Sequence, residues 1–327
     1  MKRNVVVLAL VLGAMGLSQA TGAPYRDEAG PHTVATRLES WQDKSRDRDL
    51  PVKWYYPFDV RGVSLPLIVF SHGLGGTREG GRAWGRHWAS YGYVCLHLQH
   101  RGSDASVWQK GSDFMANMRA AANAGNWILR AQDVRFALDA VARLRKTHPA
   151  KAILDLESIG MCGHSFGAET TIAVCGKATG LPRRRGVTLA DPRIDAGIAF
   201  SPPGPPANRY GARVYGGIAL PFYVLTGTRD RSPIRDTTPA EREAVYHHLP
   251  ADGKYLAVFD EGDHMVFSGR PRRRGKGDHD AAIHRLIRMS STAFWDAYLK
   301  KDPRALRWLR TECAKEMGAT GSRFERK

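Results

Sequence analysis

The chain has 327 residues, 43% hydrophobic and 25% charged, with a formal net charge of +17. That length suits one large α/β domain with a full core, or two small ones. The positive charge admits an anionic partner, but no nucleic-acid-binding motif accompanies it. The four cysteines form no Cys-x-x-Cys or Cys/His cluster of metal-ligand spacing.

Residues 1–23 read as a cleavable secretory signal. Lys2 and Arg3 form a charged start, Val5 to Leu12 is an apolar core, and Ser18-Gln19-Ala20 or Thr21-Gly22-Ala23 offers a cleavage site. The expected location is therefore secreted or periplasmic, with residues 24–327 as a single domain. A membrane anchor is the weaker reading, because Gly13 and Gly16 interrupt the apolar run, and no later stretch is apolar enough to span a bilayer. Residues 24–50 are polar, an expected leader or early edge. Val52 to Tyr56 alternates like an edge strand and stops at Pro57. Leu65 to Phe70 is a continuous apolar run, the mark of a strand buried on both faces, and it enters Ser71-His72-Gly73-Leu74-Gly75-Gly76.

Trp84 to Tyr91 reads as a short helix, Tyr93 to Leu98 as the next buried strand, and Gln99 to Asp104 as the loop after it. Residues 105–127 lack clean periodicity and read as a cap over a pocket or a long loop. Val134, Leu138, Val141 and Leu144 give one apolar stripe over a helix spanning 131–146, ended by His148-Pro149. Next comes Ile159-Gly160-Met161-Cys162-Gly163-His164-Ser165-Phe166-Gly167-Ala168, an apolar run ending in Gly-x-Ser-x-Gly before a small-residue helix. This is the strand–turn–helix context of a nucleophile elbow. Side chains at 163 or 167 would collide in so sharp a turn, so glycine holds both places around His164, Ser165 and Phe166.

Three further strands are expected. Asp195 to Phe200 stops at the stiff loop Ser201-Pro202-Pro203-Gly204-Pro205-Pro206. Phe222 to Thr226 leads to Asp230, and Tyr255 to Phe259, the last strand, leads to His264. A helix over 281–299 follows. Strands alternating with helices imply an α/β fold with a mostly parallel central sheet, helices on both faces, and functional residues at the strands' C-terminal ends.

A serine hydroxyl needs a base to take its proton, and the base needs a carboxylate to orient it. In α/β-hydrolases these occur in the order serine, acid, histidine. Ser165, Asp230 and His264 follow that order, each just after a strand. Asp236 is the rival acid, and Asp260 and Asp263 lie too close to His264 in sequence. His247, His248, His279 and His284 sit in helical or polar stretches. Two backbone N–H groups must receive the oxyanion. Phe166 supplies one and Leu74, in its glycine-rich loop, the other. His72 precedes the serine and reads as a brace for that loop.

Phe70-Ser71-His72-Gly73-Leu74-Gly75, Ala89-Ser90-Tyr91-Gly92-Tyr93, His100-Arg101 and Gly163-His164-Ser165-Phe166-Gly167 resemble the platelet-activating-factor acetylhydrolases. They are also similar to bacterial dienelactone-hydrolase-like esterases and, more loosely, to the cutinase and polyester-hydrolase group. The resemblance implies an α/β-hydrolase fold and a serine carboxylesterase, with oxyanion donors at Leu74 and Phe166. In the animal acetylhydrolases the acid ends the strand soon after the elbow helix, where this chain has Ser201. Asp230 follows the cutinase and dienelactone-hydrolase pattern instead.

The expected activity is hydrolysis of short-chain or phospholipid-type esters through an acyl-enzyme, with neither cofactor nor metal. Acyl transfer or amide hydrolysis by the same triad, and an idle basic envelope-binding protein, are the alternatives. Trp84, Trp88, Trp108, Met115 and Met118 are candidate pocket residues. Arg183 to Arg185 and the run Arg270, Arg272, Arg273, Arg274, Lys276 read as solvated loops or as a docking site for an anionic surface. Cys95 and Cys162 read as core thiols, and Cys175 with Cys313 is the one pairing considered as a disulfide.

Overall fold

The computed structural model describes residues 25, 27–109, 113–179, 188–204, 211–232, 234–269 and 277–327. The signal-like segment 1–23, the arginines at 183–185, the basic run 270–276 and Pro205-Pro206 lie outside the described residues.

Among the described residues nine strands form one sheet. They are β1 (Val34–Asp43), β2 (Arg48–Pro57), β3 (Leu65–Ser71), β4 (Val94–Leu98), β5 (Leu154–His164), β6 (Ala196–Phe200), β7 (Phe222–Arg229), β8 (Lys254–Asp263) and β9 (Arg323–Arg326). Their spatial order is β1-β2-β4-β3-β5-β6-β7-β8-β9. The six strands from β4 to β8 run parallel, and β1, β2 and β9 are antiparallel additions at the two ends.

The helices are α1 (Arg82–Ser90), α2 (Phe114–Ala121), α3 (Ala124–Ala142), α4 (Phe166–Val174), α5 (Gly211–Tyr215), α6 (Pro239–His248), α7 (Gly277–Tyr298), α8 (Pro303–Thr311) and α9 (Cys313–Gly318). Leu67 and Val69 of β3 face one core with residues of α3, α4, α5 and α6. Ile68 and Phe70 face the other, with α1, α7, α8 and α9. Two-sided burial explains why β3 and β4 are continuous apolar runs rather than alternating ones. Each aliphatic or phenyl side chain wholly buried there, such as Leu67, Ile68, Leu96 and Phe200, contributes roughly 1.5–3 kcal/mol by leaving water. This is the α/β-hydrolase fold. Among the described residues no helix is long and apolar enough to cross a membrane.

Of the two readings of residues 24–50, the early edge holds from Val34 on: Val34–Asp43 form β1, the outermost strand of the sheet, joined to β2 by a hairpin turned by Asp43, whose carboxylate accepts from Ser45 N at 3.0 Å and Ser45 Oγ at 2.6 Å. Three expectations are corrected. The Val52–Tyr56 segment is not an edge, because β1 covers it on the outside. The strand ending in Asp263 is not the last, since the C-terminal β9 pairs with it. Cys175 and Cys313 are free thiols in the cores on opposite faces of the sheet, so no disulfide joins them.

The helix expected over 131–146 begins at Ala124, capped by Asn123, whose side chain accepts from Asn126 N at 2.9 Å. It ends at Ala142, short of Leu144. Within 105–127 the described residues form a 3-10 turn (Ala105–Gln109), α2 and the first turn of α3, and 110–112 lie outside the described residues.

Candidate active site

Strand order reverses at β3, whose chain continues to β4 on one side and pairs with β5 on the other. Ligand sites of open α/β sheets form outside the strand ends at such a point. Ser71 to Gly76 leave β3 there, Ser165 leaves β5, Ser201 leaves β6, Asp230 leaves β7 and His264 leaves β8.

Ser165 has φ 57° and ψ −115°, a strained backbone for a residue with a Cβ. Its N–H donates to Phe200 O at 2.9 Å, which pins the turn to β6. A Cβ on Gly163 would lie 2.4 Å from Gly167 O, and one on Gly167 only 1.9 Å from Ser71 O. The spelling of the elbow is thus a steric requirement.

The chain brings Ser165, His264 and Asp230 together. Ser165 Oγ lies 2.9 Å from His264 Nε2, and His264 Nδ1 lies 2.8 Å from Asp230 Oδ1. Asp230 is wholly buried. Its Oδ2 accepts from Ser201 Oγ at 2.5 Å and from Thr226 Oγ1 at 2.9 Å. Arg242 of α6 sets its Nε 3.0 Å from Asp230 Oδ1 and donates to Asp230 O, Ser201 O and Pro202 O at 2.7–2.8 Å. Its other terminal nitrogen lies 3.3 Å from His264 Nδ1. That nitrogen of the ring carries its proton toward Asp230, so the guanidinium lies beside it without donating to it. Burial pushes the Asp230 carboxyl up. The His264 hydrogen bond, the charges of Arg242 and His264, and the Ser201 hydroxyl outweigh it and hold the group below the usual carboxylate range.

His164, inside the elbow, has a structural task. Burial, with the nearby His264 charge, pushes it down to about 3, so its ring is neutral. Its Nε2–H donates to His264 O at 2.9 Å and ties the β8 loop to the elbow. His72 braces its own loop: Nδ1–H donates to Gly73 O at 2.6 Å, and Nε2 accepts from His100 N at 3.0 Å. Leu74 lies between residues held by Gly75 N to Ser103 O at 2.9 Å and Gly76 N to Gly73 O at 3.0 Å. Among the described residues, the N–H groups of Leu74 and Phe166 donate to no protein acceptor.

The rival groups lie elsewhere. Asp236 is exposed in a loop at φ 48°. His247 and His248 belong to α6, His279 hydrogen-bonds Asp260 O at 3.1 Å, and His284 hydrogen-bonds Val266 O at 2.8 Å. Among the described residues no group of three His, Cys, Asp or Glu side chains is arranged to hold a metal ion.

An apolar cavity of about 230 Å³ opens beside His264, walled by Leu74, Trp108, Phe114, Met115, Met118 and Ile234. A smaller recess of about 50 Å³ adjoins Ser165 and Phe166, with Glu169, Arg235 and Arg242 on its wall. Trp108 latches the cavity wall to the Leu74 loop, its Nε1–H donating to Gly75 O at 2.6 Å. Trp84 and Trp88 take no part in the cavity; both are wholly buried between α1, Phe200 and α7. Sequence reasoning missed the support given by Thr226 and Arg242. Thr226 sits four residues before Asp230, but nothing in the pattern of α6 singles out Arg242.

A model of the family described as platelet-activating factor acetylhydrolase, isoform II, matches residues 41–138. That span carries the Leu74 loop and ends before Ser165. Among curated proteins, the platelet-activating factor acetylhydrolase of Cavia porcellus is 26% identical over 301 residues, covering 79% of this chain and 63% of the relative. That of Canis lupus familiaris is 30% identical over 157 residues, covering 37% and 34%. That of Bos taurus is 27% identical over 207 residues, covering 53% and 42%. The chain thus spans less than two thirds of the length of the relatives it matches. These matches bear out the resemblance to the platelet-activating-factor acetylhydrolases read from the motifs.

Proposed function

We propose that the chain is a serine carboxylic ester hydrolase, with residues 24–327 as one catalytic domain and Ser165, His264 and Asp230 as its triad. The observation that carries this reading is the unbroken hydrogen-bonded path from Ser165 Oγ through the His264 ring to a buried carboxylate. The path matches the chemistry step by step. His264 Nε2 takes the Ser165 proton as Oγ attacks the ester carbonyl. Asp230 keeps Nδ1 protonated and stabilises the imidazolium. The carbonyl oxygen becomes an oxyanion facing the Leu74 and Phe166 N–H groups. His264 then gives the proton to the departing alcohol. Water activated by the same ring clears the acyl-enzyme. None of these steps calls on a metal or cofactor.

The relatives' shared name points to an acetyl ester of a phospholipid, and the apolar cavity supports a substrate with a hydrocarbon portion. A short-chain or phospholipid-type ester is therefore the proposed substrate class. Residues 1–23 support export to a secreted or periplasmic location, by their charged start, apolar core and small-residue cleavage site.

The test is hydrolysis of p-nitrophenyl acetate, butyrate and decanoate by the protein and by Ser165→Ala. Turnover is expected in the parent and is expected to fall by at least about a thousandfold in the variant with its fold intact. Retained turnover in Ser165→Ala sinks the assignment.

A further inference from the structure

Arg130 lies in α3, outside the proposed triad, and its side chain is wholly buried. It makes three donations, and each one reaches a residue that holds part of the proposed oxyanion hole. One terminal nitrogen donates to His72 O, two residues before Leu74. The other donates to Ser103 Oγ at 3.0 Å, and Ser103 O accepts the N–H of Gly75, the residue after Leu74. Nε donates to Thr170 Oγ1 at 2.9 Å, and that hydroxyl in turn donates to Phe166 O at 3.0 Å. The guanidinium carbon also stands 4.9 Å from the centre of the Phe166 ring, within cation–π range.

We infer that Arg130 is a positioning residue that clamps the two halves of the oxyanion hole, Leu74 and Phe166, at a fixed separation. The inference rests on the triad reading above. Its physical basis is that the two donors come from loops after different strands, and among the described residues no hydrogen bond joins Leu74 to Phe166. An oxyanion hole works only when its donors are set before the charge develops. A planar guanidinium with a fixed fork of donors spans that gap rigidly, which a flexible ammonium cannot do as well.

The surroundings suit a permanent charge at this depth. Burial pushes the Arg130 guanidinium down to about 9, against the opposing pull of Asp133 and Asp104, so it stays protonated near neutral pH. Asp133, one turn along α3, does not depend on Arg130: Arg46, Arg48 and His100 all donate to it at 2.7–3.0 Å. His100 Nε2 in turn lies 2.9 Å from Ser71 Oγ. This second Ser–His–Asp line is wholly buried, so it braces the root of the Leu74 loop and meets no substrate.

The experiment compares Arg130→Met and Arg130→Lys with the parent, after counting competent Ser165 sites by stoichiometric reaction with a p-nitrophenyl phosphonate. In Arg130→Met, kcat per competent site should fall about ten- to a hundredfold with KM changed less than about threefold. Affinity for a trifluoromethyl ketone, which forms the same oxyanion, should weaken by the same factor as kcat/KM. Arg130→Lys should recover part of the loss. An unchanged kcat per competent site, or a rise in KM alone, overturns the clamp. If Arg130→Met does not fold, Thr170→Val and Ser103→Ala each remove one arm and should lower kcat per site about three- to tenfold; unchanged values in both overturn it. Absence of Ser165-dependent turnover in the parent defeats the hydrolase reading itself. An active parent with an unaffected Arg130→Met defeats the clamp alone.

Discussion

Asp230 is the residue whose role the surroundings define most sharply. Two hydroxyls, one ring N–H and one guanidinium surround its two carboxylate oxygens, so it has little freedom to rotate away from His264. Asp230→Asn keeps the shape but loses the charge that holds the ring proton on Nδ1. We expect kcat to fall roughly ten-thousandfold, as in other triads. Asp236→Asn, in its exposed loop, should leave kcat unchanged. Kinetics on p-nitrophenyl butyrate decide between them, and the reverse result would mean that the acid is misassigned. Ser201 is instructive at the same scale. It stands at the end of β6, and it donates a hydrogen bond to the carboxylate supplied from the next strand. Order and spacing made Ser165, Asp230 and His264 legible as candidates. The donors around Asp230 were not legible, because Ser, Thr and Arg are common and their partners are distant in sequence.

Among the elements, the stretch from the 3-10 turn to α2 sets the proposed substrate space. Asp113 caps α2, accepting from Ala116 N at 2.9 Å, and turns Met115 and Met118 onto the cavity. Met118 is buried in a small cluster with Val107 and Ala121, against Leu74 and Ile234. Met118→Ala should lengthen the cavity and raise the ratio of decanoate to acetate hydrolysis severalfold, at a stability cost near the low end of the roughly 2–5 kcal/mol seen for such truncations. A ratio that stays constant would place the acyl chain elsewhere. This segment resisted sequence reading because it packs on a loop rather than on the sheet. Its apolar residues therefore follow neither the 3.6 nor the 2.0 period. The strands β3 to β8 were readable for the opposite reason, since two-sided burial leaves a plain apolar run.

The whole molecule carries an acid sensitivity. Burial is the largest influence on His87, His97 and His164, and each is pushed down to about 3. In the unfolded chain a histidine titrates near 6.5. Between those values the unfolded state binds protons that the folded state refuses. Stability is therefore full above about pH 6.5 and falls as pH drops, by about 1.4 kcal/mol per pH unit for each ring. Asp133, lowered to about 2, adds to the loss only below about pH 4, its unfolded range. Chemical denaturation at pH 7.5, 6.5 and 5.5 should show a midpoint that changes little over the first step and drops clearly over the second. A midpoint independent of pH would show that these rings take up protons in the folded state.

What the sequence alone determined is the local chemistry: buried strands as apolar runs, a glycine-flanked serine that only a sharp turn accommodates, and the three groups of the proposed triad, each just after a strand. These properties follow from neighbours along the chain. The tertiary structure decided what depends on distant partners. It paired β1 with β2 and β9 with β8, because edge strands are chosen by the partner they meet. It placed Cys175 and Cys313 on opposite faces, where no bridge can form. It also set Arg130 and Arg242 as buried cations behind the site. A charged side chain reads as surface in sequence, and only folding shows which ones are surrounded by enough acceptors to be buried.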